Sequence, residues 1–500
     1  MKGINHILIS TSPGETRVAL MSEGRLVEVL VERVGAASLV GNVYLGRVET
    51  VNKGLDAAFV NIGTGRDGFL ALPEARPLGG PAVSGHGDSI GDYLNEGDAV
   101  LVQVQRDPVE DKGAKLTAHI NLAGVDLVFR PLQPGVSISR RIDDAGDRDR
   151  LAALVEGLVP PGAGEEGVAA EGGFIVRTAA RDAAEDALKA DAERLIGRWR
   201  DIRFARANAK APALLSGGPS PGCRALRDFG GSGINKILAD EAQALAEARA
   251  FCETEAPALA SLIEQHSGPV QLFEAFGVEE QIDAALSPVV ALAGGGSLII
   301  SQTPALCAID VNTGGADGGS RQRTAEAVNL DAATEAARQI RLRNISGLIV
   351  VDFVSVRGDA GKRETLEALR NACAADPLGP QVVGYTRMGL VEMTRPRHGL
   401  SLGDHLGVAW DSRELTAVKS PLTHALAALR AVLNQILIRG GTAQVTLRAS
   451  AAVIDALGDS GGPGPAALKE TEERLGLAIQ LLPDQDLAAG GYDIDFGKAE

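Results

Sequence analysis

Residues 1 to 35 alternate apolar and polar positions, with apolar groups at Ile7-Leu8-Ile9, Val18-Ala19-Leu20 and from Leu26 to Val31. A period of two is the signature of strands, and Ser22-Glu23-Gly24 marks a turn between two of them. So few strands cannot bury a core alone and must pair with chain that comes later. Short strands recur at residues 41–48, 55–62 and 68–70. A Pro/Gly-rich insert at roughly residues 77–91 then precedes another strand at 99–105. Strands at this spacing predict a small barrel.

Residues 126–129 and 137–142 continue in the same manner. Loops at Pro160-Pro161-Gly162 and Glu171-Gly172-Gly173 lead into a strand at 174–178, and a long helix is expected from Arg181. Its end carries Arg198, Arg200, Arg203 and Arg206, which read first as a solvated face and only second as a contact with nucleic acid. Residues 212–223, rich in Pro, Gly and Ser, look like a domain boundary. Residues 240–264 read as helical, broken in two near Pro257. From Leu422 the pattern runs helix, strand (443–447), helix, Gly/Pro loop (458–465), helix, short strand, which describes a small α/β domain. No short-period internal repeat is visible.

Residues 305–353 give the clearest pattern. Two apolar runs, Ala305-Leu306-Cys307-Ala308-Ile309-Asp310-Val311-Asn312 and Gly347-Leu348-Ile349-Val350-Val351-Asp352-Phe353, each contain one acidic residue. Between them lie a glycine-rich turn at 313–319 and a helical pattern from about 324 to 343. Strand, turn, helix, strand is a right-handed parallel crossover. Both carboxylates then fall at one sheet edge, where ligands gather in such units. A strand extends at 296–301 before this unit and another at 381–385 after it.

Composition changes this picture in three ways. A chain of 500 residues is too long for one core and should divide into several domains. No apolar run approaches the roughly 20 residues of a membrane helix, and the start lacks a signal-peptide pattern. Cys223, Cys252, Cys307 and Cys373 are scattered without CxxC spacing, which argues against a disulfide framework and a zinc cluster and favours the reducing cytoplasm. A net charge of -16 disfavours nonspecific nucleic-acid binding, although local basic patches act under an acidic total.

Candidate chemistry follows. Asp310 and Asn312 share a strand face, and Asp352 joins them from the neighbouring strand end. Two carboxylates and an amide are hard ligands of the kind magnesium takes beside phosphate oxygens. The competing reading makes each aspartate a helix cap or turn former. Asp310 sits in an apolar run, where an unpaired carboxylate is costly. Aromatics are only 3% of the chain, so Tyr44, Phe59 and Phe69 beside Arg47, Lys53, Arg66 and Lys112 stand out. They either fill the barrel core or form a base-stacking platform. Arg140-Arg141 and Arg177-Thr178 suit a terminal phosphate.

These residues resemble the ribonuclease E/G family. The resemblance is carried by Ala308-Ile309-Asp310-Val311-Asn312-Thr313-Gly314, by Gly347 to Phe353, and by Arg338-Gln339-Ile340-Arg341-Leu342-Arg343-Asn344. Gly41-Asn42-Val43-Tyr44-Leu45-Gly46-Arg47-Val48, Ala57-Ala58-Phe59-Val60 and Gly68-Phe69-Leu70 match that family's S1 domain. Lys112-Gly113-Ala114, Asn121-Leu122-Ala123-Gly124, Ile138-Ser139-Arg140-Arg141-Ile142, Ile175-Val176-Arg177-Thr178-Ala179 and the segment Arg387 to Arg395 follow in order. The match covers roughly residues 1 to 400 and weakens beyond.

The resemblance implies a multidomain α/β and α+β protein. An RNase H-like domain (1–37 and 217–280) would hold an inserted S1, or OB-fold, RNA-binding domain (38–125). A 5′-sensor domain (126–216) and a DNase I-like catalytic domain (281–400) would follow, then a linker (401–420) and a small C-terminal domain (421–500). It implies a cytoplasmic endoribonuclease of RNA processing and turnover, cutting single-stranded RNA to 5′-phosphate and 3′-hydroxyl ends. Asp310 and Asp352 would hold Mg2+, with Mn2+ an alternative, and Asn312 would orient a water or the phosphate. Phe59, Phe69 and Lys112 would bind RNA. Arg177 and Thr178, with Gly124 and Val128, would read a 5′-monophosphate, supported by Arg141 and Arg387.

The chain departs from the family after Arg395. Where a Cys-Pro-x-Cys zinc link is common, it reads Pro396-Arg397-His398-Gly399-Leu400-Ser401-Leu402-Gly403-Asp404-His405. No zinc is therefore expected, a zinc-joined homodimer is in doubt, and His398 and His405 read as surface residues before residual ligands. The resemblance also leads one to expect no scaffold tail that gathers degradosome partners, as in a compact, ribonuclease G-like member. Two competing functions are a catalytically inactive RNA-binding paralogue and a magnesium-dependent small-molecule phosphatase. The second leaves the aromatics unexplained.

Overall fold

The computed structural model describes residues 3–79, 89–108, 112–159, 172–231, 233–314, 321–411, 416–439, 444–459 and 461–497. Its contacts form two compact units, one of residues 1–37, 233–249 and 261–500, the other of 38–232 with 250–260. The first opens with an antiparallel meander, β1 (His6–Ser12), β2 (Glu15–Ser22) and β3 (Arg25–Arg33). At the β2–β3 turn Glu23 and Gly24 take φ of 49° and 77°, the left-handed pair of a tight hairpin.

The second unit holds the expected barrel. Strands β4 (Val43–Asn52), β5 (Ala57–Asn61), β6 (Gly68–Ala71), β7 (Ala99–Arg106) and β8 (Lys115–Thr117) pair in the order β4-β5-β6-β8-β7, and β7 closes onto β4. Closure removes the sheet edges. The Pro/Gly-rich insert lies partly in residues 80–88, outside the described residues, as do Pro160-Pro161-Gly162 and Glu171.

A four-stranded sheet follows, formed by β9 (Leu122–Ala123), β10 (Leu127–Arg130), β11 (Gly135–Ile138) and β12 (Gly173–Val176) in the order β11-β12-β10-β9. Helices α1 (Ala145–Glu156) and α2 (Glu185–Asn208) cover it, burying Phe129 and Phe174 against Leu151, Leu188 and Leu195. α2 starts at Glu185 rather than Arg181, because Thr178–Asp182 is a 3-10 turn. Within the Pro-rich stretch at 212–223, β13 (Ala213–Ser216) pairs with β4 and α3 (Pro221–Phe229) begins; the contact units change at 232/233.

Back in the first unit, β14 (Lys236–Ala239) lies parallel to β1, giving the N-terminal strands the later partner they require. Residues 240–264 form one α-helix, α4 (Ala242–Glu255), not two. Pro257 instead opens a 3-10 segment, and β15 (Ile263–Gln265) completes the order β15-β14-β1-β2-β3.

After α5 (Val278–Leu286) comes a six-stranded sheet, β16 (Val289–Ala291), β17 (Ser297–Gln302), β18 (Leu306–Asn312), β19 (Gly347–Asp352), β20 (Gln381–Tyr385) and β21 (Val391–Arg395), in the order β16-β17-β18-β19-β21-β20. β16 and β21 were not expected from the sequence. Helix α6 (Arg321–Leu342) makes the crossover and α7 (Asp359–Cys373) follows β19. Their apolar faces bury Ile309, Val311, Ile349 and Val351 against Val328, Ala332, Ala336 and Leu369.

The stretch expected as a linker contains α8 (Leu402–Leu406) and the hairpin β22 (Ala409–Asp411) and β23 (Thr416–Val418). The tail is α9 (Pro421–Arg439), β24 (Gln444–Ala449), α10 (Ala451–Gly458), α11 (Gly464–Leu475), β25 (Ile479–Pro483) and β26 (Tyr492–Gly497), one strand more than the pattern gave. A buried ionic cluster joins it to the N-terminal strands. Glu15 accepts from Arg33 at 2.9 Å and Arg430 at 3.1 Å, while Arg17 pairs with Glu279 at 2.7 Å. Burial alone would raise the Glu15 carboxyl, but the guanidiniums of Arg430, Arg17 and Arg33 hold it below the usual carboxylate range.

Candidate functional site

β18 and β19 run parallel with Asp310 in register with Asp352. Adjacent strands are about 4.8 Å apart, and residues in register face the same side. Burial alternates along β18, with Cys307, Ile309 and Val311 buried and Ala308, Asp310 and Asn312 exposed. Asp352 is exposed at the end of β19. The two runs look uniformly apolar, but the sheet is covered on one face only. Asp310 therefore stands in solvent, and the expected burial cost does not arise. Asn312 Nδ2 donates to Asp310 Oδ2 at 2.8 Å, which leaves the amide oxygen as an acceptor. Among the described residues no third acidic, histidine or cysteine ligand joins the pair. The glycine-rich turn continues past Gly314 into residues 315–320, outside the described residues.

Two further residues set this edge and escaped the sequence reading. Asn329, fully buried on α6, donates to Val354 O at 2.8 Å and accepts from Val354 N at 2.9 Å, fixing the chain as it leaves Asp352. At Gly296 (φ +92°) a Cβ would sit 2.3 Å from Asn312 O, so only glycine lets this turn approach the end of β18. The Arg338-to-Asn344 motif is scaffold. Arg341 Nε reaches Glu28 at 2.9 Å, Arg338 Nη1 reaches Leu26 O at 2.6 Å, and Arg343 Nη2 reaches Ser287 O at 2.8 Å.

On the barrel, the two readings of the aromatics divide between residues. Tyr44 is core, 5% exposed. Phe59 and Phe69 are half-buried and in register on β5 and β6, with ring centroids 5.9 Å apart at 68°. Lys112 is exposed just before Gly113, whose hypothetical Cβ would lie 1.8 Å from Asp67 O. That close approach places Lys112 beside the start of β6, and Phe69 N donates to Ala114 O at 2.8 Å.

In the same unit, Arg177 follows β12, and its guanidinium bonds Gly124 O through Nη1 and Asp228 Oδ1 through Nη2, the latter at 2.9 Å. Thr178 Oγ1 lies 2.9 Å from Ser139 Oγ at the surface. Val128 is half-buried on β10 opposite Ile175, and Arg141 N donates to Ser139 Oγ at 3.3 Å. Gly124, Val128, Arg141, Arg177 and Thr178 thus belong to one small sheet and its rim. Arg387 lies in the other unit, exposed on the turn between β20 and β21. Burial outweighs the pull of two arginines at Asp126: with the Asp191 carboxylate close by, its carboxyl is pushed up to about 6. Burial would also raise Asp228, but hydrogen bonds and charge from Arg227 and Arg177 hold it low. Of the basic residues at the end of α2, Arg198 serves the fold, donating to Ser216 Oγ at 3.1 Å. Arg200, Arg203 and Arg206 are exposed around Phe204.

Asp191, Asp228 and Arg227 were missed. Asp191 had a signal: it occupies a place in the apolar stripe Leu188, Ala192, Leu195 of α2 and is 0% exposed.

A model of the Ribonuclease E/G family matches residues 121–398. The chain is 36% identical over 410 residues to the ribonuclease G of Haemophilus influenzae, covering 79% of this chain and 80% of that one. It is 35% identical to the ribonuclease G of Escherichia coli K12, covering 78% and 79% of the two chains. It is 37% identical to the ribonuclease E of Escherichia coli K12, covering 80% of this chain and 37% of that longer one.

Proposed function

This chain belongs to the ribonuclease E/G family, and from that premise we propose that it hydrolyses single-stranded RNA internally with magnesium. The homology makes it an endoribonuclease. The finer reading assigns 5′-phosphate and 3′-hydroxyl products, and faster cutting of RNA that begins with a 5′-monophosphate.

The observation that carries this reading is the register of Asp310 with Asp352, with Asn312 bonded to Asp310. Two exposed carboxylates side by side repel each other unless a cation lies between them. Two hard oxygen donors open to water fit magnesium, which takes one or two carboxylates and fills its shell with water and phosphate oxygens. Asp310 and Asp352 would hold the ion, which when bound polarises the phosphodiester and acidifies water. Asn312, tethered through its Nδ2, presents its oxygen to orient a water or a phosphate. Phe59 and Phe69 offer ring faces to unstacked bases, and Lys112 contributes charge to the backbone. Arg177 and Thr178, with Gly124, Val128 and Arg141, form the pocket for a terminal phosphate.

The domain reading is part of the proposal. The order β15-β14-β1-β2-β3 supports an RNase H-like domain of 1–37 with 217–280. The closed barrel supports an S1 domain at 38–125, and the small sheet with α1 and α2 a sensor at 126–216. The six-stranded sheet with α6 and α7 supports a DNase I-like catalytic domain at 281–400.

The test uses a 5′-monophosphorylated single-stranded oligonucleotide with and without magnesium. Internal cleavage that requires magnesium, and that Asp310→Asn removes while RNA binding persists, is the expected result. Binding without cleavage in the wild-type protein would instead leave an inactive RNA-binding paralogue.

A further inference from the structure

Two carboxylates that this chemistry does not use stand behind Arg177. Asp228, on α3, accepts from Arg177 Nη2 at 2.9 Å. It also accepts from Arg227, through Nε at 3.0 Å and Nη2 at 2.8 Å. Asp191, on α2, takes the backbone N–H of Asp126 at 2.9 Å and of Leu127 at 2.8 Å on one oxygen. Its other oxygen takes Arg194 Nη2 at 3.0 Å. Between the two carboxylates runs the turn at Gly124, whose carbonyl accepts from Arg177 Nη1. A Cβ at Gly124 would lie 2.3 Å from Asp191 Oδ1, so only glycine lets the turn press against that carboxylate.

A guanidinium has five N–H donors. In Arg177, Nη1 serves Gly124 O and Arg227 O, the second at 3.3 Å, and Nη2 gives one hydrogen to Asp228. Among the described residues, Nε–H and the second Nη2 hydrogen have no acceptor. Two donors on one rigid fork are what two phosphate oxygens require. Asp228 is shared between Arg177 and Arg227, so it does not neutralise Arg177 alone.

We infer that Asp228 and Asp191 are positioning residues of the 5′-phosphate pocket. Asp228 fixes the Arg177 fork from behind, and Asp191 fixes the turn whose carbonyl holds its other arm. Arg177 then loses little freedom when the phosphate arrives, which is how preorganisation raises affinity. The inference rests on the sensor reading of Arg177 and Thr178. It also runs against simple charge counting, in which removing Asp228 makes the pocket more positive and binding tighter.

The test compares kcat/KM of the full chain on one single-stranded oligonucleotide carrying either a 5′-monophosphate or a 5′-hydroxyl. The ratio of the two values is the readout. Arg177→Ala should collapse the ratio toward one. If it leaves the ratio unchanged, the sensor reading fails and this inference falls with it. Where Arg177→Ala does collapse it, Asp228→Ala should lower the ratio about tenfold, the scale of one charge-assisted hydrogen bond, through KM of the phosphorylated substrate. Asp228→Asn, which keeps an acceptor for Arg177, should lie between. Asp191→Asn, which keeps the buried shape, should move the ratio the same way. A ratio in Asp228→Ala equal to or above wild type overturns the positioning role alone, as does an equal loss on both substrates. A wild-type ratio in Asp191→Asn removes Asp191 from it.

Discussion

Replacing Phe69 by alanine separates RNA contact from folding on the barrel. Phe69 is half-buried and meets Phe59 edge to face at 5.9 Å. The stability lost is that aromatic pair contact, about 0.5–1.5 kcal/mol, plus part of a ring's burial. Tyr44, 5% exposed in the same barrel, is the control, since truncating a buried aromatic costs about 3–5 kcal/mol. Loss of one stacked base costs about 1–3 kcal/mol of binding, so Phe69→Ala should weaken RNA affinity roughly fivefold to 150-fold at 1.4 kcal/mol per decade. The assay is fluorescence anisotropy of an end-labelled single-stranded RNA in EDTA, beside a urea midpoint for each variant. Phe69→Ala should move mainly the first and Tyr44→Ala mainly the second. A Kd for Phe69→Ala within a factor of two of wild type, with an intact fold, would refute the stacking platform.

Lys112→Ala should weaken binding evenly across RNA sequences and lower the slope of log K against log salt by about 0.7, one phosphate's share on a single strand; an unchanged slope would remove Lys112 from the backbone contacts. Asp376→Ala should destabilise the first unit by about 3–5 kcal/mol, because it removes the carboxylate that holds Arg395 Nε at 2.7 Å with both groups buried, leaving a buried charge only the neutral acceptors Asn344 Oδ1 and Ile345 O. A calorimetric loss under 1 kcal/mol would show that Arg395 finds another acceptor. At Asp126 the native carboxyl lies near 6 against an ordinary value of 3.8. The native state therefore binds more protons between those values, and stability falls as pH rises through that window. Asp126→Asn should raise the urea midpoint at pH 8, with the gain shrinking through the window and vanishing only below the ordinary value of 3.8, where both states are protonated. A gain that is the same at both ends of this range would contradict this sign.

The parallel crossover was legible because period and length sufficed: two apolar runs flanking a helical pattern predict the register that brings Asp310 to Asp352. Their exposure was not legible. Ala308, Leu348 and Val350 on the open face are as apolar as Ile309 and Val351 beneath, so the runs carry no alternation to show that one face meets solvent. The residues proposed for 5′-phosphate sensing divide in the same way. Arg177-Thr178 is local and visible at a strand end. Asp228 reaches Arg177 from 51 positions along the chain, and nothing in its helix separates it from a solvated aspartate. Asp191 shows a partial signal, a carboxylate inside an apolar stripe, which demands backbone N–H partners without naming them. The strand at 213–216 was not legible, because the Pro, Gly and Ser around it mark turns as readily as domain ends and do not show that Ala213 to Ser216 pairs with β4.

The charge of -16 limits how such a chain holds RNA. Asp310 and Asp352 are exposed and adjacent, so on the proposed reading the place of the phosphodiester repels it without a cation. Electrostatic attraction spread over the surface cannot offset this, since the total is acidic and screened beyond about 8 Å at physiological ionic strength. Affinity must come from contacts indifferent to net charge or shielded from it. The Phe59–Phe69 pair is of the first kind, since every base has a face to stack. The proposed Arg177 pocket is of the second, with its cations partly buried and hydrogen-bonded to Asp228 and to Gly124 O. Both features lie in the unit that does not contain the carboxylates. On the proposed reading, grip and chemistry fall to different parts of the chain, so the negative charge of the carboxylates lies on residues other than those proposed to hold the strand.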